Sequence, residues 1–288
     1  MHLSGLYIYP VKSLRGIAVP AAEIDDLGLV GDRRFMVVDE TGRFLTQRTL
    51  PRMARIATAL TATDLVLRAE GHGSISVPLR APASAELRPV EVWRSKALLA
   101  EDCGAETSAW FSAFLGTSCH LVRIGEKFRR PVLERRPYSS APPDTPMQEG
   151  RVIASDLFTF ADGFPFLAIT EGSLGNLNDR LVARGEESVP VDRFRANLVV
   201  AGADAFAEDG WHRVHIGGVT FRSGGPCARC IVTTTDQLTG ERGHEPLRTL
   251  ASYRRDPADS TRINFGLNLT HEIKSGTLRV SDPVMPLP

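Results

Sequence analysis

Apolar and polar residues alternate in short stretches over most of the chain, and turn-forming residues separate the stretches. Leu3 to Tyr9 and Gly16 to Ile24 read as the first strands. Arg33 to Val38 and Arg43 to Thr46 flank Asp39-Glu40-Thr41-Gly42, whose Asp and Gly tolerate the backbone of a tight hairpin. Leu65 to Arg68, Ser74 to Leu79 and Val90 to Trp93 continue the series. Short strands at this density predict a barrel or sandwich. A helical period first emerges at Ala105 to Leu115, where Trp110 with Phe114, and Phe111 with Leu115, share a core-facing stripe.

Between residues 126 and 150 the pattern breaks. Lys127, Arg129, Arg130, Arg135 and Arg136 crowd together, with Pro131, Pro137, Pro142, Pro143 and Pro146. Proline lacks the N–H donor of regular structure, so this segment reads as a loop with solvated charge between two units, 1–125 and 151–288. Its arginines facing an anionic ligand is the functional alternative. In the second unit Phe164 to Ile169, Phe194 to Ala201, Ile263 to Leu269 and Thr277 to Val280 predict strands. His212 to Ile216 and Val219 to Arg222 form a hairpin around Gly217-Gly218. Thr170 or Ser173 caps a helix running to about Ala183, and Glu245 to Arg255 predicts another. The fold class is mostly β with some helices (α+β).

Composition narrows the function. The 288 residues carry 34 Lys plus Arg against 34 Asp plus Glu, and no basic surplus favours nucleic acid or anionic membrane. No apolar run exceeds four residues, far short of the roughly 18 of a membrane span. No secretory leader is visible, so a cytoplasmic protein without a membrane anchor is expected.

Of four cysteines, Cys227 and Cys230 form a lone Cys-x-x-Cys. A structural zinc site needs a second close pair of ligands, and none exists; His212 and His215 would face opposite sides of a strand. A redox dithiol opens a helix. Here Ile231 to Thr235 are five β-branched residues, which predict a strand. A single thiolate offered to a soft metal inside a cofactor remains, and it needs cations to cradle that cofactor. Lys12-Ser13, Arg33-Arg34, Arg195 with Asn197, and Arg229 are the candidates.

Tyr9-Pro10-Val11-Lys12-Ser13, Gly31-Asp32-Arg33-Arg34-Phe35, Phe194-Arg195-Ala196-Asn197 and Cys227-Ala228-Arg229-Cys230 together resemble the MOSC-domain family. They are most similar to its branch with an N-terminal β-barrel extension, which includes the mitochondrial amidoxime-reducing component. Asp236 to Gly240, Leu250 to Tyr253 and Phe265-Gly266-Leu267-Asn268 extend the match. The resemblance implies an N-terminal barrel-like domain, a MOSC β-barrel domain and a molybdenum cofactor (Mo-molybdopterin) between them. It implies Cys230 as the catalytic thiolate and metal ligand, with Cys227 a packing residue. Cofactor contacts would come from Lys12, Ser13 and Arg34, and from Arg195, Asn197 and Arg229. Gly163, Phe164 and Asn268 complete that set. Ala228 replaces a serine often seen there, and Asn268 replaces the tyrosine of the mitochondrial members.

The implied activity is reduction of N-hydroxylated compounds (hydroxylamines, amidoximes, N-hydroxylated bases). No ferredoxin-like iron–sulfur run is visible, so electrons are expected from a separate ferredoxin, flavoprotein or cytochrome. The alternative is a cofactor carrier or sulfur-transfer module with Cys230 as persulfide acceptor. A third possibility is a β protein without cofactor.

Overall fold

The computed structural model describes residues 1–133 and 152–288. Its first strand, His2–Ile8, pairs antiparallel with Leu198–Ala201 of the second unit. An eight-stranded sheet follows in the order Ile17–Ala18, His2–Ile8, Leu198–Ala201, Phe166–Thr170, Asn264–His271, Val219–Ala228, Arg213–Ile216 and Val284–Leu287. Phe166–Thr170 and Leu198–Ala201 run parallel, and the helix Glu171–Val182 lies in the crossover between them. Thr170 caps that helix by accepting the Ser173 N–H at 3.1 Å, and the buried Glu208 carboxylate accepts both hydroxyls at 2.9 Å. A three-stranded sheet of Gly276–Arg279, Ala21–Asp25 and Gly28–Leu29 accompanies it, and Leu3, Leu6, Phe166, Phe221, Leu269 and Leu278 share one core.

The remaining N-terminal residues build a four-stranded sheet in the order Phe35–Val38, His120–Arg123, Ser95–Asp102 and Leu87–Val92. A three-stranded sheet joins it: Ala57–Leu60, Asp64–Ala69 and Gly73–Pro78. The helix Ala105–Leu115 buries Phe111, Phe114 and Leu115 against Leu65, Leu67 and Val77. The molecule is mostly β, with curled, barrel-like sheets and three α-helices among the described residues.

Several elements depart from the sequence pattern. Ile231–Thr234 is a 3₁₀ turn, not a strand, because the Thr233 and Thr234 hydroxyls donate back to the carbonyls of Cys230 and Ile231 at 3.0 and 2.9 Å. The last helix shrinks to Leu247–Ala251, since Arg255 already bridges to Ile263 around the turn held by Asp256. The strand expected from Phe194 begins only at Leu198, after the 3₁₀ turn Val191–Phe194. Pro131–Leu133, assigned to the loop, pairs with Val152–Leu157. Arg130, read as solvated, is buried: it donates to the carbonyls of Thr159 and Ala161 at 2.8 and 2.5 Å and stacks on Phe158. Arg135, Arg136, Pro137, Pro142, Pro143 and Pro146 lie outside the described residues.

His271 is fully buried on the central strand. One ring nitrogen, Nε2, meets the Asp25 carbonyl at 2.8 Å, while Nδ1 has no partner. Burial, and then nearby Lys274, push its pKa down to about 4. Below the ordinary value near 6.5 the unfolded chain takes up a proton that the folded chain refuses, so stability falls as pH drops toward 4. The loss is at most about 3 kcal/mol. In urea melts at pH 7 and pH 4.5, His271→Gln should lose less stability on acidification than the parent; an equal loss would refute this.

Candidate functional site

The Cys-x-x-Cys begins within the end of the long strand Val219–Ala228, which is bulged against Asn264–His271, and Cys230 lies just beyond it. Gly266 on the facing strand has φ +81°, and a Cβ there would stand 2.8 Å from the Ala168 carbonyl, so only glycine fits. Cys230 caps the 3₁₀ turn with extended backbone, and its side chain is half-buried. Arg48 of the N-terminal unit donates from Nη2 to Cys230 Sγ at 3.3 Å. Three things fix Arg48. Its guanidinium lies 4.3 Å from the Trp93 ring centre, and it pairs with Asp162 at 3.5 Å. Its carbonyl accepts from Arg242 at 3.1 Å, and the neighbouring Gln47 exchanges amide hydrogen bonds with Gln237 at 3.0 and 3.1 Å.

Asp162 joins a second cation to this group. Its carboxylate accepts from Lys12 Nζ, and from Trp93 Nε1 at 3.1 Å. Crowding by neighbouring atoms opposes its charge although the side chain keeps contact with solvent, but Lys12 and Arg48 prevail and hold the carboxyl below its usual range. Lys12 is buried, with Nζ also donating to the Phe160 carbonyl at 2.9 Å. Burial lowers its pKa to about 8 despite Asp162.

A third group completes the recess. Tyr9 is flanked by the guanidiniums of Arg33 and Arg195, at 4.5 and 4.4 Å from its ring centre. Arg33 donates to Asp32, to Asn197 Oδ1 and to the Arg195 carbonyl at 2.7, 2.9 and 3.1 Å. Arg195 donates from Nη1 to the Leu14 carbonyl at 2.7 Å and keeps a buried Nη2 with no partner. Burial and then Arg33 lower its pKa to about 10, still well above neutral. Arg229 donates to Cys227 Sγ at 3.0 Å and to the Phe194 carbonyl at 2.6 Å, leaving its buried Nε unpaired. Asp162 lies within electrostatic reach of Arg33, Arg195 and Arg130, so these groups form one charged cluster.

Backbone strain concentrates here. Of seven non-glycine residues with positive φ among those described, Ser13, Arg33, Trp93 and Arg195 belong to this recess. Such conformations persist only where surroundings enforce them, and they cluster at functional sites.

The structure thus gathers Cys230, Lys12, Ser13, Arg195, Asn197 and Arg229. Asn197 spends both amide hydrogens on the Tyr7 carbonyl and Asp32, and its oxygen accepts from Arg33 and the Leu167 N–H. It therefore orients Arg33 rather than facing a ligand. Arg34 is not brought in: it donates to Asp25 and to the Leu29 carbonyl at 2.7 and 3.2 Å, and Arg33 is the arginine beside Arg195. Both lie in the same sequence motif; Arg33 has left-handed backbone, and it is the one whose side chain meets Asn197 and the Arg195 carbonyl. Phe164 packs on Gly224 and on the apolar group Val132, Phe158 and Ala161, while Gly163 adjoins open space. Asn268 donates to the carbonyls of Gly225 and Pro226 at 3.1 and 3.2 Å, tying down the bulged strand. Cys227 is half-buried against the core of Phe194 and Phe265. Sequence reasoning missed Arg48, Trp93 and the carboxylate of Asp162, since no spacing links them to Cys230.

The site offers an unbridged thiol, buried cations in excess of carboxylates, and guanidinium hydrogens without partners. No metal-binding group of His, Cys, Asp and Glu occurs among the described residues, so a metal here would arrive within a ligand bound by the cations. That chemistry fits a phosphate-bearing cofactor whose metal takes one protein sulfur.

Comparison with known proteins agrees. Residues 1–118 match the MOSC N-terminal beta barrel domain and residues 156–285 the MOSC domain. The chain is 34% identical over 289 residues to mitochondrial amidoxime-reducing component 1 of Homo sapiens, covering 97% of this chain and 81% of that one. It is 35% identical over 293 residues to mitochondrial amidoxime reducing component 2 of Rattus norvegicus, covering 98% and 82%. It is also 34% identical over 285 residues to molybdenum cofactor sulfurase of Danio rerio, covering 94% of this chain but 32% of that protein. The chain belongs to the MOSC family, in the branch that carries the N-terminal barrel domain together with the amidoxime-reducing components.

Lys12 is the cation of this recess that discharges near neutrality. Retention of a phosphate-bearing ligand should weaken as pH rises from 7 to 9, through about 8, while the arginines stay charged. Lys12→Met should bind weakly and without that step when ligand retention is followed by gel filtration. A step surviving in the variant would assign it to another group.

Proposed function

We propose that the protein is a molybdenum-cofactor-dependent reductase of N-hydroxylated compounds, converting hydroxylamines, amidoximes or N-hydroxylated bases to amines or amidines. One observation carries this reading: the Cys230 thiol stands beside a recess of buried cations, in a chain related over nearly its whole length to amidoxime-reducing components. When bound, the molybdenum cofactor would supply two-electron removal of oxygen from nitrogen, with electrons from a separate ferredoxin, flavoprotein or cytochrome.

The chain's own residues would do the rest. Lys12, Arg195 and Arg229 would hold the phosphate and pterin edges, with Ser13 close by. Arg33 and Asn197 fix the backbone and ring stack from which Arg195 projects. Cys230 would give its sulfur to the metal. Arg48, flat on Trp93, donates to that sulfur from the N-terminal side and bounds the approach to it. Asp162, kept ionised by Lys12 and Arg48, serves as a counter-charge and not as a proton donor.

The similarity to a molybdenum cofactor sulfurase favours a second reading, a cofactor carrier or sulfur-transfer module with a persulfide on Cys230. Turnover separates the two. Molybdenum-loaded protein with an artificial reductant should reduce an amidoxime; tight binding of cofactor without turnover would replace the first reading by the second. Cys230→Ser should abolish turnover and deplete molybdenum at unchanged melting temperature, whereas Cys227→Ser should keep the metal. The opposite pattern in elemental analysis would end the assignment of Cys230 as ligand.

A further inference from the structure

A second basic recess, of about 600 Å3, is lined by none of the side chains around Cys230. It lies where the hairpin of Asp64–Ala69 and Gly73–Pro78 meets the tip of the Asp236–Gly240 turn. Arg15, Arg55 and Arg68 line it, with Glu70 as the one carboxylate. Several other arginines pair with acids, as in Arg34 with Asp25, Arg193 with Asp236, Arg213 with Glu272 and Arg254 with Asp209. The side chains of Arg55 and Arg68 make no hydrogen bond or ion pair with a described residue.

Arg15 is held in place by donating from Nε and Nη2 to the carbonyls of Gln237 and Leu238, at 3.1 and 3.3 Å. Those bonds leave its Nη1 hydrogens available. Arg55 is braced against Gly240, whose added Cβ would stand 3.3 Å from the arginine's Cγ. Both arginines are therefore half-ordered before any ligand arrives, which lowers the entropy lost on binding. The hydroxyl of Ser74 and the exposed apolar Leu238 complete the lining.

We propose that this recess is a binding site for a small diphosphate-bearing anion of nucleotide size. Guanidinium forks and a hydroxyl match phosphate oxygens, the excess positive charge matches a dianion or more, and the volume lies in the range of small-molecule sites. Leu238 would cover an attached ring. The assignment is independent of the reading of Cys230.

Calorimetric titration of the full chain with inorganic pyrophosphate and with ADP tests it. Saturable binding that weakens with added salt is expected, tighter for ADP if Leu238 contributes. Arg68→Glu, at an exposed position, and Arg55→Ala should each weaken it by about ten-fold or more, as loss of a charge-assisted contact does. Arg195→Met should leave the Arg55- and Arg68-dependent heat unchanged, removing only anion held at the other recess. Absence of saturable heat, binding indifferent to Arg55 and Arg68, or loss of the Arg55- and Arg68-dependent heat in Arg195→Met would each overturn the proposal. So would a recess that captured an acidic protein while ignoring both probes.

Discussion

Positive charge held out of water is the constraint on which the rest of this molecule depends. Lys12 and Arg130 are buried, and Arg33 and Arg195 partly so, yet Asp32 and Asp162 are the carboxylates placed among them. Backbone carbonyls do most of the hydrogen bonding instead: Phe160 for Lys12, Leu14 for Arg195, Phe194 for Arg229 and Thr159 for Arg130. A carbonyl satisfies a donor without cancelling its charge. The recess therefore keeps a strong positive potential and several oriented donors, which an anionic ligand can use without waiting for the protein to reorganise.

The chain topology serves this arrangement. Because His2–Ile8 joins the sheet of the second unit, the residues just after it, Tyr9 to Ser13, emerge where the two units meet. Tyr9 then bonds to the Ala196 carbonyl at 3.0 Å, and Lys12 reaches the Phe160 carbonyl, so the N-terminal motif is welded to the second unit before any ligand is considered. The Gln47–Gln237 pair, buried and reciprocal, closes the other side and brings Arg48 to Cys230. Neither unit carries the recess alone. Tyr9, Arg33, Arg48 and Trp93 face Asp162, Arg195, Arg229 and Cys230, and three of them, Arg33, Trp93 and Arg195, have left-handed backbone.

Much of this was legible in the sequence. Alternation located most strands, and the aromatic period gave the helix Ala105–Leu115 with its observed ends. The motif residues Lys12, Arg195, Arg229 and Cys230 do meet in one place. What remained hidden has physical reasons. The five β-branched residues after Cys230 have strand propensity, but two threonine hydroxyls bonding to local carbonyls outweigh it and form a 3₁₀ turn. Arg130 sits in a stretch whose composition signals solvent, and only Phe158 and two carbonyls brought close by tertiary structure make its burial tolerable. The choice between Arg33 and Arg34 shows only in their tertiary partners, Asn197 and the Arg195 carbonyl for one and Asp25 and the Leu29 carbonyl for the other. Arg48 and Trp93 belong to no motif, because their relation to Cys230 exists only in three dimensions.

Arg48 also shows why the residue type matters at that position. It must face a sulfur, an ionised carboxylate and an aromatic ring at once. A guanidinium can do so: its flat face lies on Trp93 while its edge presents one nitrogen to Cys230 and to Asp162. A lysine ammonium, a compact and strongly hydrated charge, could satisfy Asp162 or the ring but has no edge with which to address the sulfur in the same pose. Trp93 is in turn fixed by its indole N–H on Asp162 and by edge contact with Phe44 at 4.8 Å. The sulfur of Cys230 is thus approached on this side by a cation whose orientation is set by three partners. Any substrate reaching that sulfur's neighbourhood meets a fixed, positively charged and partly aromatic wall, and not a mobile side chain.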